Sequence, residues 1–160
     1  MATLYVMVGA PGSGKSTWAK RFITNRDNIV YLSRDHVRLS IIKETEHYFS
    51  HEDEVYDVFT NRIVELLSEG KDVVADATHL SHGARFKLIS TLAVKGMPMS
   101  LYDLIFVCMD TPLAVCVARD ALREGRQHVT EPVLTKMYNS FRVPTTGEFT
   151  NVKEVWLIRG

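Results

Sequence analysis

A glycine-rich segment near the start of the chain places the strongest constraint on its fold. Residues 9–16 read GAPGSGKS and fit the pattern G-x-x-x-x-G-K-[ST] completely. They follow a short apolar run, Thr3–Val8, that predicts a buried strand, and they lead into a stretch predicted to be helical from about Lys15 to Asn25. In this context the glycines let successive backbone N–H groups converge on one phosphate, and the helix adds the positive end of its dipole. The segment therefore predicts a phosphate-binding loop between a strand and a helix.

The polar residues of this loop have expected tasks. Lys15 would reach the β- and γ-phosphates of a nucleotide, and Ser16 would place its hydroxyl on the Mg²⁺ that bridges them. The dinucleotide pattern G-x-G-x-x-G does not fit, because the glycines fall at positions 9, 12 and 14. We therefore expect ATP and Mg²⁺ as cofactors. The residues expected to contact the nucleotide are Gly9, Ala10, Pro11, Gly12, Ser13, Gly14, Lys15, Ser16 and Thr17.

Strands and helices alternate along the rest of the chain. Further strands are predicted at Asn28–Leu32, Asp72–Asp76, Tyr102–Met109 and Val152–Ile158, the last of which could lie at an edge. Helices are predicted at Asp35–Lys43, His51–Ser68, Ser81–Lys95, from Thr111 as N-cap and Pro112 as first residue to about Glu124, and at Glu131–Phe141. This alternation is typical of an α/β fold in three layers, with a parallel sheet of about five strands covered by helices on both faces. Ligands of such sheets bind beyond the carboxyl ends of the strands.

Composition sets the broad class. The 160 residues, 46% of them apolar and 24% charged, suit one globular domain, and we expect a single domain over residues 1–160. No apolar run approaches the roughly 20 residues that cross a bilayer, and no signal peptide is visible, so a cytoplasmic location is expected. Cys108 and Cys116 lie in or near apolar segments and are expected to be buried and reduced. A net charge of zero neither indicates nor excludes binding to nucleic acid.

A charged pair follows the second predicted strand. Asp35 and Arg38 are three residues apart and would share one face of the next helix. A carboxylate there can accept the proton that an alcohol loses when it attacks a γ-phosphate, and an arginine one turn later can hold a phosphate of the acceptor. The alternative is a surface ion pair worth about 0.3 kcal/mol. In the βα turn next to a phosphate loop, we favour the functional interpretation.

The third predicted strand ends in a carboxylate. Asp76 lies where an aspartate can hold Mg²⁺, so Ser16 and Asp76 are the predicted metal-binding residues. Asp76 could instead contact the acceptor, orient Arg38, or cap the helix that begins near Ser81. Thr78 and His79 follow and could line an acceptor site. The choice between a metal and an acceptor role for Asp76 stays open at this point.

Three arginines are spaced as neighbours on a helix. Arg119, Arg123 and Arg126 fall at i, i+4 and i+7 and would share one face of a continuous helix, where like charges repel by a few tenths of a kcal/mol per pair. A lid closing over ATP would relieve this repulsion, and its arginines would stabilise charge on the transferring phosphoryl group. The alternative is a solvated basic stripe. Gly125 weakens the expectation that the helix reaches Arg126 and could mark a hinge.

Four segments together resemble the P-loop polynucleotide 5′-kinases found in bacteriophage and in RNA and DNA repair enzymes. They are GAPGSGKSTWA at 9–19, SRDHVR at 33–38, VVADATHL at 73–80 and ARDALREGRQHV at 118–129, in the order of that family. The second is the most telling, since serine or asparagine before Arg-Asp, with a further arginine, is characteristic of the family. Two positions depart from it: His79 stands where members often carry asparagine, and Asp120 follows Arg119 where the lid often reads Arg-Asn.

The resemblance implies a P-loop kinase fold with an arginine-bearing lid at about residues 119–129. It implies phosphorylation of the 5′-hydroxyl end of DNA or RNA by ATP, with that polynucleotide as the partner and with no obligate protein partner predicted. Asp35 would be the general base, Arg38 would grip the phosphate next to the acceptor nucleoside, and Asp76 and Thr78 would support the acceptor end. The residues implied in catalysis are Asp35, Lys15, Arg38 and Arg123; those implied to neutralise ATP phosphates are Lys15, Arg119, Arg123 and Arg126.

Two other functions use the same features. A kinase of a small molecule, such as a sugar, nucleoside or antibiotic, would share the phosphate loop and Asp35, and the neutral net charge slightly favours it. Arg38 favours the polynucleotide, because a neutral acceptor has no adjacent phosphate to hold. A non-enzymatic nucleotide-binding module is the third possibility, and it has little need for an acid beside an acceptor.

Overall fold

The computed structural model describes residues 1–125 and 128–159 and has one sheet of five parallel strands flanked by helices. The strands are β1 (Thr3–Val8), β2 (Ile29–Ser33), β3 (Asp72–Asp76), β4 (Asp103–Asp110) and β5 (Val152–Arg159). The helices are α1 (Lys15–Ile23), α2 (Arg34–Ile41), α3 (Glu52–Ser68), α4 (His82–Val94), α5 (Leu113–Ala121) and α6 (Glu131–Asn139), with a short 3₁₀ turn at Met99–Leu101. The strand order is β2-β3-β1-β4-β5, so β5 is an edge strand. The predicted α/β fold is confirmed.

The sheet separates two apolar layers because side chains alternate along each strand. On β1, Leu4 and Val6 join one core with residues of α3 and α4, such as Phe59 and Leu88. Met7 points to the other face, where α1 packs. Helices therefore cover both faces, and the central strands are buried as in other parallel sheets.

The strand register brings three strand ends to one edge of the sheet. Ser33, the last residue of β2, pairs with Asp76, the last residue of β3. The loop after β1 joins this edge through Gly9, whose N–H donates to the Thr78 carbonyl at 3.0 Å. The phosphate loop, the β2–α2 turn and the end of β3 therefore lie side by side.

The bounds predicted for the helix after β4 are wrong. Thr111 was expected to cap it, yet α5 begins at Leu113 with Pro112 as the N-cap. The Thr111 hydroxyl donates to the Ser13 carbonyl at 2.8 Å instead, tying β4 to the phosphate loop. At the other end α5 stops at Ala121, and Arg123 N–H closes a turn on the Asp120 carbonyl.

This early end changes the expected arrangement of the arginines. Arg119 lies in α5, Arg123 follows the helix, and Gly125 has a φ of 67°, in the left-handed region that a helix does not continue through. Arg119 and Arg123 therefore do not share a helical face. Arg126 lies outside the described residues. The other predicted bounds shift by no more than about two residues.

A small apolar cluster attaches α5 and α6 to the phosphate loop. Ala10 of the loop packs with Leu80, Cys116 and Leu134. Cys108 and Cys116 are both buried and free, as predicted. In the part of the chain that the structure describes, no helix is long and apolar enough to span a membrane.

Candidate active site

The phosphate loop has the backbone that its glycines predict. Gly12 and Gly14 have φ values of 80° and 96°, a conformation that residues with a Cβ rarely adopt. A Cβ on Gly12 would also lie 2.7 Å from the Cys116 carbonyl oxygen of α5, so glycine is required here for close approach as well. The loop is thus shaped by its own sequence and by the helix behind it.

Lys15 interacts electrostatically with two carboxylates. Its ammonium donates to the Ala10 carbonyl at 3.2 Å, within the phosphate loop. Burial lowers the pKa of Lys15, while the charges of Asp76 and Asp35 act to raise it. Lys15 therefore lies close enough to both acids to interact with them, which brings the predicted donor and acceptor residues into one site.

Ser16 and Asp76, the predicted metal-binding residues, are in direct contact. The Ser16 hydroxyl donates to Asp76 Oδ2 at 2.7 Å, and the Tyr31 hydroxyl donates to the same oxygen. Burial and the charge of Asp76 raise the pKa of Tyr31, so its hydroxyl stays a donor. A hydroxyl beside a carboxylate at the end of a strand is a donor set that fits Mg²⁺ bound to nucleotide phosphates. Sequence reasoning missed Tyr31, which reads only as an apolar member of β2.

Asp35 and Arg38 form a hydrogen-bonded cluster with two residues that the sequence did not single out. The members of this cluster, called the acceptor cluster below, are Asp35, Arg38, Tyr48 and Glu52. Arg38 is 5% exposed. Its Nη1 contacts Asp35 Oδ1. The Glu52 carboxylate accepts hydrogen bonds from Arg38 Nε at 2.8 Å and from Arg38 Nη2 at 2.6 Å. The Tyr48 hydroxyl donates to Asp35 Oδ1 at 3.0 Å.

The charge balance of the acceptor cluster keeps Arg38 ionised. Although burial opposes the charge, the hydrogen bonds that Arg38 donates to Glu52 and Tyr48 and the charges of Glu52 and Asp35 leave the pKa of Arg38 raised. Arg38 also lowers the pKa of Glu52, despite the opposing effect of burial. Asp35 itself keeps 64% of its side chain exposed, so its carboxylate is open to solvent. A reactive hydroxyl can therefore approach it.

A cleft of about 570 Å³ opens next to the phosphate loop. Arg119 lies at its wall and donates from Nη1 to the Gly12 carbonyl at 3.1 Å. Its lining residues are Gly12, Gly14, Thr17, Trp18, Arg21, Met109, Arg119, Arg123, Ile158 and Arg159. The cleft is thus rich in arginine beside a loop built for phosphate, as a site for a polyanion would be. Arg21 and Arg159 were not predicted, because neither lies in a recognisable motif.

The two residues predicted to line the acceptor site after β3 have structural contacts. Thr78 supplies the carbonyl that holds Gly9. The His79 ring is buried, with Nδ1 2.9 Å from the Met7 carbonyl oxygen and its plane nearly parallel to Phe59. Burial lowers the pKa of His79 to about 4, so the ring is neutral and donates from Nδ1 to that carbonyl. His79 links β3 to β1, and its contact with an acceptor stays a prediction.

The residue after Arg119 anchors the predicted lid. Asp120 is 2% exposed, and its Oδ1 accepts the Val129 N–H at 2.8 Å. His128 contacts the Asp120 carboxylate at 3.2 Å and its carbonyl at 2.9 Å. The aspartate that departs from the Arg-Asn pattern therefore ties the end of the predicted lid, residues 119–129, back to α5.

The fold of this chain is shared with known proteins. The sequence profile of the AAA domain family matches residues 4–144. The chain belongs to this AAA domain family. A chain of the Pnkp1/Rnl/Hen1 RNA repair complex is 26% identical to it, with a TM-score of 0.73 over 87% of this chain and 43% of that one. The predicted resemblance to the P-loop polynucleotide kinases is confirmed.

Two more distant structures share the fold of this AAA domain. A fungal RNA kinase has 12% identity and a TM-score of 0.68, over 98% of this chain and 74% of that one. A sugar kinase from Janibacter sp. HTCC2649 has 16% identity and a TM-score of 0.66, over 99% and 85%. This chain spans less than half of the first two RNA repair chains that it matches, 43% and 38%. The fold is that of a nucleotide-binding P-loop kinase, and the solved structures that share it include an RNA kinase and a sugar kinase.

Proposed function

We propose that this AAA domain uses ATP to phosphorylate the 5′-hydroxyl end of DNA or RNA. The observation that carries the proposal is the position of Asp35, a largely exposed carboxylate that lies near Lys15 and is held by Arg38. An acid beside the phosphate loop is what transfer to an alcohol requires and what nucleotide binding alone does not. The similarity to a chain of an RNA repair complex supports a polynucleotide as the acceptor.

In the proposed reaction, Asp35 takes the proton of the 5′-hydroxyl as its oxygen attacks the γ-phosphorus of ATP. The new bond joins that oxygen to phosphorus, and the bond to the β,γ-bridging oxygen breaks, so ADP leaves with its electron pair. Lys15 of the phosphate loop would contact the phosphates and stabilise the charge that develops on them. Arg119 and Arg123, on the wall of the cleft, add positive charge there. Arg126, for which the sequence predicts a contact with the ATP phosphates, lies outside the described residues.

Ser16 and Asp76 would hold Mg²⁺ beside the phosphate loop. Their contact at 2.7 Å supplies the oxygen pair that the ion needs from the protein. When bound, the ion neutralises charge on the β- and γ-phosphates. Tyr31 keeps the Asp76 carboxylate aimed at Ser16, so the pair is ordered before a nucleotide arrives.

Arg38 would bind the phosphate that follows the terminal nucleoside. Its guanidinium has five N–H groups, and the contacts with Asp35, Tyr48 and Glu52 use four of them. Counting partners among the described residues, one N–H on Nη2 remains for a phosphate oxygen. The same arginine would then fix the base, Asp35, and the acceptor in one geometry, as positioning for phosphoryl transfer requires.

A small-molecule acceptor is the second candidate. The similar sugar kinase is matched over nearly its full length, 85%, whereas the RNA repair chain is matched over 43%. The net charge of zero agrees with an acceptor that is not a polyanion. The acceptor cluster favours the polynucleotide, because a buried arginine beside the base suits an acceptor that carries a phosphate.

The decisive experiment offers ATP labelled in its γ-phosphate to 5′-hydroxyl oligonucleotides of DNA and of RNA. We expect label on the 5′ end, dependent on Mg²⁺, with 5′-phosphorylated oligonucleotides as the matched control that accepts none. Label on a sugar or nucleoside, with none on either oligonucleotide, would establish the second candidate instead.

A further inference from the structure

An exposed aromatic side chain lies against the acceptor cluster. Phe49 is 54% exposed, yet the Arg38 guanidinium lies 5.1 Å from its ring centroid. Tyr48, the neighbouring residue, is buried and meets the Phe49 ring edge-on with the centroids 5.0 Å apart. Part of the Phe49 ring therefore packs on the cluster while more than half of the residue faces solvent.

The loop that carries Phe49 is ordered by its own hydrogen bonds. Between α2 and α3, the Lys43 N–H donates to the Glu46 carboxylate at 2.8 Å, and the Glu46 N–H donates to the Lys43 carbonyl at 3.0 Å. Further along, the N–H and hydroxyl of Ser50 both donate to the His47 carbonyl, at 3.1 and 2.7 Å. A ring held in advance loses little conformational entropy when a ligand stacks on it.

We propose that Phe49 is the stacking platform for the nucleobase of the acceptor's terminal nucleotide. The inference rests on the proposed function. The terminal sugar presents its hydroxyl to Asp35 and carries the phosphate bound by Arg38, so its base projects beside the same guanidinium. A ring 5.1 Å from that guanidinium is within reach of the base.

The chemistry of this platform sets what the site can distinguish. An aromatic ring stacks on any base, because every nucleobase has a π-face, so Phe49 gives affinity with little base preference. Stacking on Phe49 does, however, favour the binding of acceptors that carry a base over those that carry none. A nucleotide acceptor is thereby preferred over a simple sugar phosphate, through binding rather than through the chemical step.

The test compares two acceptors and four forms of the full chain. One acceptor is a 5′-hydroxyl oligonucleotide, and the other is the same strand with its first residue lacking a base. The four forms are the unchanged chain, Phe49→Ala, Phe49→Trp and the control Phe86→Ala, which removes a ring of similar exposure, 57%, on α4. KM and kcat for each acceptor are measured at saturating ATP, and circular dichroism checks that each variant is folded.

We expect the unchanged chain to have a KM about tenfold lower for the acceptor that carries the base, as loss of one stacked aromatic contact gives. Phe49→Ala should bring the two KM values together with kcat nearly unchanged, while Phe49→Trp and Phe86→Ala keep the difference. A Phe49→Ala variant that retains the full KM ratio would overturn the stacking inference alone. If the unchanged chain labels neither strand, the proposed function fails, and the assignment of Phe49 fails with it.

Discussion

Glu52 holds Arg38 through two hydrogen bonds, of 2.8 Å from Nε and 2.6 Å from Nη2, although the residues are 14 apart in sequence. The pair joins the first turn of α3 to α2, and it leaves Nη1 of the same guanidinium for Asp35. Arg38 is nearly buried, so its charge requires these partners. The orientation of the proposed base is thus set by a residue on a different helix.

Glu52→Gln should loosen this arrangement. The neutral amide cannot accept two charge-assisted bonds from Arg38, so the free energy of unfolding should fall by about 2 kcal/mol. Urea unfolding would measure it, with Glu65→Gln as the control. Glu65 pairs with Arg62 at the surface, where both side chains are about half exposed or more, and its loss should cost under about 1 kcal/mol. Equal losses in the two variants would contradict the bracing role of Glu52.

Asp35→Asn should abolish proton transfer while it keeps the shape of the side chain. We expect kcat for 5′-hydroxyl oligonucleotides to fall by roughly 10²–10⁴-fold, the usual contribution of a general base, with ATP affinity nearly unchanged. Initial rates and nucleotide titration would separate the two effects. Asp53→Asn removes an exposed acid next to Glu52 and should leave both quantities as they are. A similar kcat in the two variants would remove Asp35 from the mechanism.

Ser16→Ala tests the proposed metal pair. Ser16 is exposed at the start of α1, so the substitution should not change the fold. Loss of its hydroxyl should raise the Mg²⁺ concentration for half-maximal activity by about tenfold or more, because the ion loses one of its protein oxygens. Ser40→Ala is the control, since that exposed hydroxyl bonds only to the Val37 carbonyl among the described residues. An unchanged metal requirement would argue against the site.

His79 should make the fold sensitive to acid. Its pKa is lowered from 6.5 to about 4 by burial, so between these values the unfolded chain binds a proton that the folded chain does not. Stability should therefore be complete above pH 6.5 and fall toward pH 4, by about 3 kcal/mol from this group. His79→Asn suits the residue's φ of 44° and removes the titration, so its pH profile should be flatter. If the free energies of unfolding of the unchanged chain and of His79→Asn, measured in urea, changed with pH to the same extent, this assignment would be contradicted.

Gly12 and Gly70 have nearly the same φ angle, so alanine substitutions at the two positions distinguish backbone strain from a steric clash. Gly70→Ala at φ 79° meets nothing within 4 Å and should cost only about 1 kcal/mol. Gly12→Ala, at φ 80°, adds a clash of 2.7 Å with the Cys116 carbonyl oxygen and should cost about 2 kcal/mol more. Unfolding free energies and ATP binding would both be measured. Equal losses of unfolding free energy in the two variants would mean that α5 shifts to relieve the clash at little energetic cost.

Features of the fold that depend on local pattern could be predicted from the amino-acid sequence alone. Three features could be predicted: the glycines and Lys15 of the phosphate loop, the alternation of strands and helices, and the positions of Asp35 just after β2 and of Asp76 at the end of β3. Backbone hydrogen bonding and apolar periodicity act over a few residues, so the local sequence predicts the elements that depend on them. Parallel pairing then forces the strand ends to one edge, which brought the predicted residues together.

The contacts between side chains of different elements became known only from the three-dimensional fold. The partners of Arg38 at positions 48 and 52, and the bond from Tyr31 to Asp76, join elements whose separation in sequence carries no pattern. The burial of His79 and the end of α5 before Arg123 also follow from packing between elements. Side-chain contacts of this kind depend on how whole elements pack, and packing is a property of the assembled core rather than of any local stretch of chain.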